Sequence, residues 1–575
     1  MVFWKFNLNF GPLSLCPAHP HSLFASCYLS RRLWFFLLLP PKTAVNRAMK
    51  SRRPFFLAVS SIIVTAIILV ARHGSYDTVP YFGYQQLVVE DGWVVEDWMG
   101  NAAEIESAQD CHIAENFEWL EKYNLSYPLK VAHRDIIAKP NHGARPSLTT
   151  MDEPLFDNQK TFHRGELSIN RVVDHCSPLT LEVPYPPTHK IDASHMIFGL
   201  QTTMKRLRDT KQHLARWLPN TGARLFAIVK ESEEEPASKS DMRRLQKEYR
   251  KAGMDVTIIP PVKNEDFFNQ RYFSLINVMY EARNRKTKWT VIMDDDTFFP
   301  SFRALLDELA LHDHTEPQYI GGLSEDWAAV RMYGLMAFGG AGVFLSTPLA
   351  KIIHDNNEEC KNNMRFTSGD TLVMDCIYLH SSAQLKPIAG LSQIDLTGDH
   401  AGFYENGRRI LSLHHWKAGS TAKYPYEMDK MHLVSNVCDE CFLQRWQFRN
   451  DVVLTNGFSI AKYPEGSLEL GARSQLSNST VIDDGGIDLR RTEVTWDNKN
   501  VDVTHSLAPT RPALNEEQKL SWKFLDSFLV DNGNVVRQVY LRRDIEGEGE
   551  MRKESDEVLI LNWKQAKSIT GKDMN

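Results

Sequence analysis

The chain has no surplus of positive charge. Its 66 Lys and Arg stand against 72 Asp and Glu, a formal net charge of −6, so the basic footprint of nucleic-acid binding is missing and no nucleic-acid partner is expected. Cysteine is sparse, with 8 residues in 575. Cys438 and Cys441 have the spacing of a zinc or redox pair, but no second such pair accompanies them, so each is expected to find a disulfide partner elsewhere rather than a zinc ion. Disorder is not the default either, because 43% of the residues are hydrophobic and 24% charged, the proportions of a globular protein.

One long apolar run is present. Residues 55–71 (FFLAVSSIIVTAIILVA) carry no charge and follow Arg47, Lys50, Arg52 and Arg53. No small-x-small cleavage site follows, and the run is too uniformly apolar for an amphipathic core helix. A signal-anchor is therefore expected, with residues 1–54 as a cytosolic tail and the rest lumenal, a single-pass type II arrangement. Residues 1–48 differ from the remainder, and Met49 reads as a natural start. In an oxidising lumen Cys111, Cys176, Cys360, Cys376, Cys438 and Cys441 form an even set. Asn124 and Asn478 begin N-glycan acceptor tripeptides.

Residues 72–189 read as a stem or N-terminal extension that ends in a Pro-rich linker at Pro184, Pro186 and Pro187. A regular rhythm then begins. Strand-like runs at 196–200, 224–229, 255–259 and 289–293 are separated by helical segments at 205–217, 240–251 and 269–285. Intervals of roughly thirty residues fit βαβ units and a parallel sheet. A further helix is expected at 302–309. From Asn450 the rhythm is lost: short alternating runs at 452–454, 458–461 and 493–496 suggest a small β-rich accessory region over 451–575, with a helix at 520–530.

Val291 to Pro300 read VIMDDDTFFP, an apolar run that stops in three carboxylates. A buried strand cannot hold uncompensated aspartates, so they belong at its carboxyl end, the crevice where open α/β sheets bind ligands. Alternation directs Asp294 and Asp296 one way and Asp295 the other. Two carboxylates on one side suit Mg²⁺ or Mn²⁺ that keeps waters and bridges phosphates; a solvated acidic turn with an Asp helix cap is the plainer alternative. Gly339, Gly340 and Gly342 interrupt a strand-like run, which suggests a substrate-facing wall or else a tight bulge. Their spacing does not fit a dinucleotide fingerprint.

Several segments together carry a family likeness. FGLQTT at 198–203, LARW at 214–217, RYFSL at 271–275, Lys288-Trp289 before the Asp triplet, GGAG at 339–342, SGDT at 368–371 and LHHW at 413–416 resemble, over residues 190–450, glycosyltransferase family 31, the fringe-like enzymes, and more closely its uncharacterised fungal branch. The resemblance implies an α/β fold of GT-A type, a Rossmann-like, mostly parallel sheet flanked by helices. It implies an inverting hexosyltransferase of the Golgi membrane that uses Mn²⁺ and moves a sugar from a nucleotide sugar, a UDP-sugar, to a glycan or glycoprotein acceptor.

By the same resemblance Thr202, Thr203, Arg271, Asp294, Asp295, Gly339, Gly340 and Gly342 line the donor site. Asp294, Asp296 and His414 hold the metal, and Asp370 is the catalytic base. The chain departs from the pattern in two places. The acidic step is Gly369-Asp370 rather than Asp-Asp, and His415 adjoins His414, which chain order favours as the ligand. Asp370 as a helix cap and His414 as a satisfied buried histidine remain the plainer readings. Two rival functions are a non-catalytic Golgi glycan-binding or scaffold protein that keeps the fold and a metal-dependent phosphohydrolase; the latter needs a second metal cluster, which the sequence lacks.

Overall fold

Four of the apolar runs become parallel strands in register: β1 (Met196–Thr202), β2 (Arg224–Val229), β3 (Asp255–Ile259) and β4 (Trp289–Ile292). The computed structural model describes residues 112–566, apart from 142, 169–170, 175–177, 185–190, 231–237, 363–364, 366, 418–425, 474–485, 498–505 and 547–552. The apolar run at 55–71, the segment 1–48, Cys16, Cys27, Cys111, Cys176, most of the Pro-rich linker and the acceptor tripeptide at Asn478 lie outside the described residues. Among those residues no helix is long and apolar enough to cross a membrane.

The crossovers are α1 (Met204–Leu214), α2 (Lys239–Lys251) and α3 (Phe268–Glu281). Polar residues start the first two: Thr203 Oγ1 accepts the Arg206 N–H at 3.3 Å and Ser238 Oγ the Asp241 N–H at 3.1 Å, satisfying donors that a helix cannot satisfy itself. Gly199 lets α3 approach β1, since a Cβ there would lie 2.8 Å from the Met279 side chain. Helix α4 (Phe302–Ala310) follows the Asp triplet and buries Phe302, Leu305 and Leu309, as its spacing predicts.

Three more strands complete the sheet: β5 (Tyr319–Gly321), β6 (Val343–Ser346) and β7 (Leu385–Pro387), in the order β7-β5-β6-β4-β1-β2-β3. The sheet is of mixed orientation through one strand, and otherwise parallel as expected: β6 is antiparallel to both β4 and β5, while the remaining neighbours pair in parallel. The cause is local. The glycine-rich segment is not strand throughout but a short 3₁₀ turn, Gly339–Ala341, at the carboxyl end of β4. Gly342, at φ +93°, sends the chain back along β4. Between β5 and β7 lie α5 (Trp327–Tyr333), α6 (Thr347–Asp355), α7 (Asn357–Asn362) and α8 (Gly369–His380).

A second, ten-stranded sheet joins segments far apart in the chain. Strand Leu129–Asn141, within the segment read as a stem, pairs with Lys553–Gln565 near the other end, and the sheet continues through Val535–Glu546, Leu520–Val530, Ser459–Lys462 and Val452–Thr455. Residues 520–530, expected as a helix, form a strand because both edges are paired, with Ser459–Lys462 on one side and Val535–Glu546 on the other. Pairing on both edges decides a run whose own apolar pattern does not. One hydrophobic cluster runs through both sheets, from Phe198 and Val291 to Trp446 and Trp563. Among the described residues the disulfides are Cys360–Cys376 and Cys438–Cys441. The latter corrects the expectation of distant partners: these cysteines stand 5.4 Å apart at Cα and pair with each other.

Candidate functional site

The Asp triplet leaves β4 in a turn fixed by Thr297, whose hydroxyl accepts the Asp294 N–H at 3.0 Å and donates to the Gly340 carbonyl at 2.9 Å. The strand end and the glycine turn are thereby joined. A two-residue bridge brings in a third segment: Phe298 and Leu413 exchange N–H···O bonds of 2.9 and 2.8 Å, and Trp416 Nε1 donates to the Asp296 carbonyl at 2.6 Å. His414, next along the chain, is carried to the carboxylates. Its Nε2 lies 3.4 Å from Asp294 Oδ2 and 3.2 Å from Asp296 Oδ1.

The triplet lies in the turn beyond β4 and divides there. Asp295 points away into a buried pocket, where it accepts from Arg206 and the Thr202 hydroxyl. Thr202 and Asp295 therefore bond to each other, and Thr203 caps α1. Arg271 donates to the Asp266 carbonyl, while Asp266 also pairs with Lys361 at 3.1 Å. This local network, rather than the Asp triplet, engages the Arg271 guanidinium.

His414 is the imidazole that faces both carboxylates. Its Nδ1 lies 3.2 Å from the Gln393 carbonyl, an acceptor, so Nδ1 carries the proton and Nε2 is directed at the aspartates. His415, at φ +49°, turns to Asp395 instead, with Nδ1 3.2 Å from Oδ1. Burial alone would lower the His414 pKa, but the hydrogen bond to Asp296 and the charge of Asp294 raise it. Burial would raise that of Asp296, yet the His414 contact and the Lys417 charge hold it near 2. Asp294 goes the other way: desolvation, with Asp370, Asp296 and Asp295 as like-charged neighbours, pushes it up to about 7 against the pull of His414.

Asp370 is in the first turn of α8 without capping it, for Ser368 is the N-cap residue. Its Oδ2 accepts the Gly339 N–H at 3.1 Å, and burial raises its pKa against that bond and the Tyr272 hydroxyl. The glycines are dictated by these neighbours. A Cβ on Gly340 would run into the His414 ring, one on Gly339 into the Tyr272 hydroxyl, and one on Gly369 into the Tyr272 ring.

Tyr272, Gln393 and Glu325 escaped the sequence reading. Tyr272 is a buried aromatic on a buried helix, indistinguishable by pattern from core. Gln393 and Glu325 lie in short irregular segments with no spacing to mark them. The positions of Asp395, beside His415, and of Asp375, paired with Arg365, differ in kind: only the former borders the imidazoles.

The donor set fits a hard divalent cation in its chemistry: two carboxylates and an imidazole whose other nitrogen is held by a carbonyl. Each carboxylate approaches the imidazole, but the three ligand atoms do not all close to within 4.8 Å. Among the described residues the group that does is Cys360, Cys376 and His380, and its sulfurs are joined in a disulfide.

The chain is similar to several solved structures. They include the glycosyltransferase GlyE of Streptococcus pneumoniae (14% identity, 37% of this chain and 48% of that one, TM-score 0.24) and mouse xyloside xylosyltransferase 1 in its apo form (11%, 36% and 85%, 0.23). A third is the 4-diphosphocytidyl-2C-methyl-D-erythritol synthase of Anaerococcus prevotii (10%, 35% and 88%, 0.23). The chain thus spans about half the length of GlyE, and likenesses at these TM-scores carry no functional argument. No curated protein matches. Residues 330–556, which hold the glycine turn, Asp370 and His414 but not the Asp triplet, match the family described as "Protein of unknown function, DUF604".

Proposed function

We propose that the chain is a glycosyltransferase, inverting and dependent on a divalent metal, that moves a sugar from a nucleotide-sugar donor, a UDP-sugar, to a glycan or glycoprotein acceptor. One observation supports this most: Asp294, Asp296, His414 and Asp370 converge from three separated segments on a glycine turn at the carboxyl end of β4, where open α/β sheets take their ligands. The cluster has more acid than base, a shortage of positive charge that a divalent cation would offset.

Asp296 and His414 are the residues to hold Mn²⁺, with Asp294 on its waters or the ribose. When bound, the cation neutralises charge developing on the departing diphosphate. Asp370 takes the proton of the attacking acceptor hydroxyl, one of its oxygens held by Gly339 and the other beside Tyr272. Its raised pKa makes it a stronger base than a free aspartate. The glycine turn lets the His414 ring and the Tyr272 hydroxyl pack against its backbone, which supports both groups from one side.

A secretory-pathway membrane location, the Golgi with the catalytic part lumenal, belongs to the same proposal and is tested by protease protection of intact microsomes. The chemistry is tested by incubating the full chain in detergent with a panel of UDP-sugars, with and without Mn²⁺. Mn²⁺-dependent release of UDP from one of them is expected. No release from any donor, with glycan binding retained, would make the protein a scaffold; cleavage of simple phosphoesters would make it a phosphohydrolase.

A further inference from the structure

Behind His414 lies a hydrogen-bonded platform that does not touch the carboxylates. After β5 the chain runs Gly321-Gly322-Leu323-Ser324-Glu325 into α5, and Glu325 is only 3% exposed. Its Oε2 accepts the Asp395 N–H at 3.3 Å, and the Ile394 N–H bonds to the same carboxyl. Ser324 Oγ donates to Asp395 Oδ2 at 2.5 Å. The carboxyl thus grips the backbone of one short loop, 393–395.

That loop is strained. Ile394 is β-branched and held at φ +56°, a conformation such residues avoid and keep only where the surroundings impose it. The strain has a consequence one residue back. The Gln393 carbonyl is turned onto His414 Nδ1 at 3.2 Å, and the Gln393 side chain accepts the Ala341 N–H of the glycine turn at 3.0 Å. One residue on, Asp395 takes His415, itself at φ +49°.

We infer that Glu325 is a positioning residue: by holding Ile394 and Asp395 in the left-handed turn it aims the Gln393 carbonyl at His414 and so fixes the tautomer and orientation of that imidazole. Without the carboxyl, Ile394 relaxes to extended backbone, the carbonyl swings away, and the His414 ring is free to rotate. Partners of this kind behind a metal-binding histidine carry roughly 10–100-fold in affinity. What His414 does with its Nε2 rests on the proposed function; that Glu325 sets its Nδ1 does not.

The test uses Glu325→Asp, which draws the carboxyl back by one methylene while keeping its charge, Glu325→Ala, and the isosteric Glu325→Gln, all in the full chain. Two readouts need no metal: amide hydrogen exchange at Ile394 and Asp395, and the ¹⁵N imidazole signals of His414. Glu325→Asp and Glu325→Ala should exchange at least about 10-fold faster at those amides and show a mixture of His414 tautomers, whereas Glu325→Gln, whose amide oxygen still accepts an N–H, should stay near wild type. Mn²⁺ affinity should fall about 10–100-fold in the first two and recover in the third. Wild-type exchange and a single Nδ1–H tautomer in folded Glu325→Asp overturn the inference, and it serves if Glu325→Ala does not fold. If the wild type binds no Mn²⁺, the glycosyl-transfer reading fails, and the metal-free readouts still decide the role of Glu325.

Discussion

Glu405 and Glu493 are buried carboxylates with all the cations they need. Lys519 reaches them at 2.7 and 2.8 Å, Arg511 reaches Glu493 at 2.7 Å, Lys523 lies 3.6 Å from Glu405, and the Ser459 hydroxyl donates to Glu405 at 2.6 Å. Around Asp294, Asp296 and Asp370 the supply is short, with His414 in contact and Lys417 at longer range. The two clusters respond in opposite ways. Glu405 is held far below the usual carboxylate range and Lys519 far above the usual lysine range, whereas Asp294 is pushed up to about 7. Compensated acids bind the second sheet to the region that carries the site; undercompensated acids mark where a cation from outside would be accepted.

The largest effects should come from the undercompensated cluster, and on turnover. Asp370→Asn keeps the shape and removes the base, so transfer should drop roughly 10²–10⁴-fold while Mn²⁺ and nucleotide affinity persist. Wild-type turnover would pass the role of base to Asp395, beside the imidazoles. Asp296→Ala should abolish Mn²⁺-dependent nucleotide binding in a protein that still folds, with about 1–3 kcal/mol lost for the broken contact to buried His414; calorimetric titration beside a thermal scan reads both.

The compensated cluster should show the converse. Lys519→Met leaves Glu405 and Glu493 buried with fewer partners and should cost about 3–5 kcal/mol in denaturant unfolding, with Mn²⁺ affinity unaltered in the folded fraction. A loss below 1 kcal/mol would mean that Arg511 and Lys523 suffice, and that the contrast between the clusters is overdrawn. Gly340→Ala lies between the two: its methyl must displace the His414 ring, so about 1–3 kcal/mol of stability and at least about 10-fold in Mn²⁺ affinity should be lost together.

The smallest effect separates the clusters by pH. Asp294 is raised from 3.8 to about 7, so between those values the metal-free native state holds a proton that the unfolded chain has released, and stability falls as pH rises through that window. Asp294→Asn should therefore be more stable than wild type at pH 8, by no more than about 1 kcal/mol because its side chain is 40% exposed, and equal to it below pH 3.8. Glu405 is depressed from 4.5, so its contribution is complete above that pH and is lost progressively as the pH falls below it. Melting curves of metal-free Asp294→Asn and Glu405→Gln across pH 3–8 should slope in opposite directions relative to wild type.

Much of the frame was legible in the chain. The four runs from 196 to 293 are strands because continuous apolar residues at βαβ spacing have few other solutions; the opposite facings of Asp294 and Asp295 agree with the expectation but arise in the turn that Thr297 fixes. The glycine turn was visible as an anomaly but not as a reversal. Its meaning depends on Tyr272 and His414 occupying the space a Cβ would need. Residues 520–530 were misread because a short apolar run has no period that separates a strand from a helix until neighbouring strands supply both edges.

Sequence by itself determined the four parallel strands from 196 to 293, the acidic strand end and the residue types able to hold a cation, for these follow from local spacing and from the cost of burying unpaired charge. Tertiary structure alone decided which imidazole meets the acids, because that choice is made by the Phe298–Leu413 bridge and the Gln393 carbonyl, contacts between residues far apart in the chain. It also decided that the segments at 129–141 and 553–565 are neighbours in one sheet. No local pattern encodes such pairings: their free energy exists only once the distant partner has arrived.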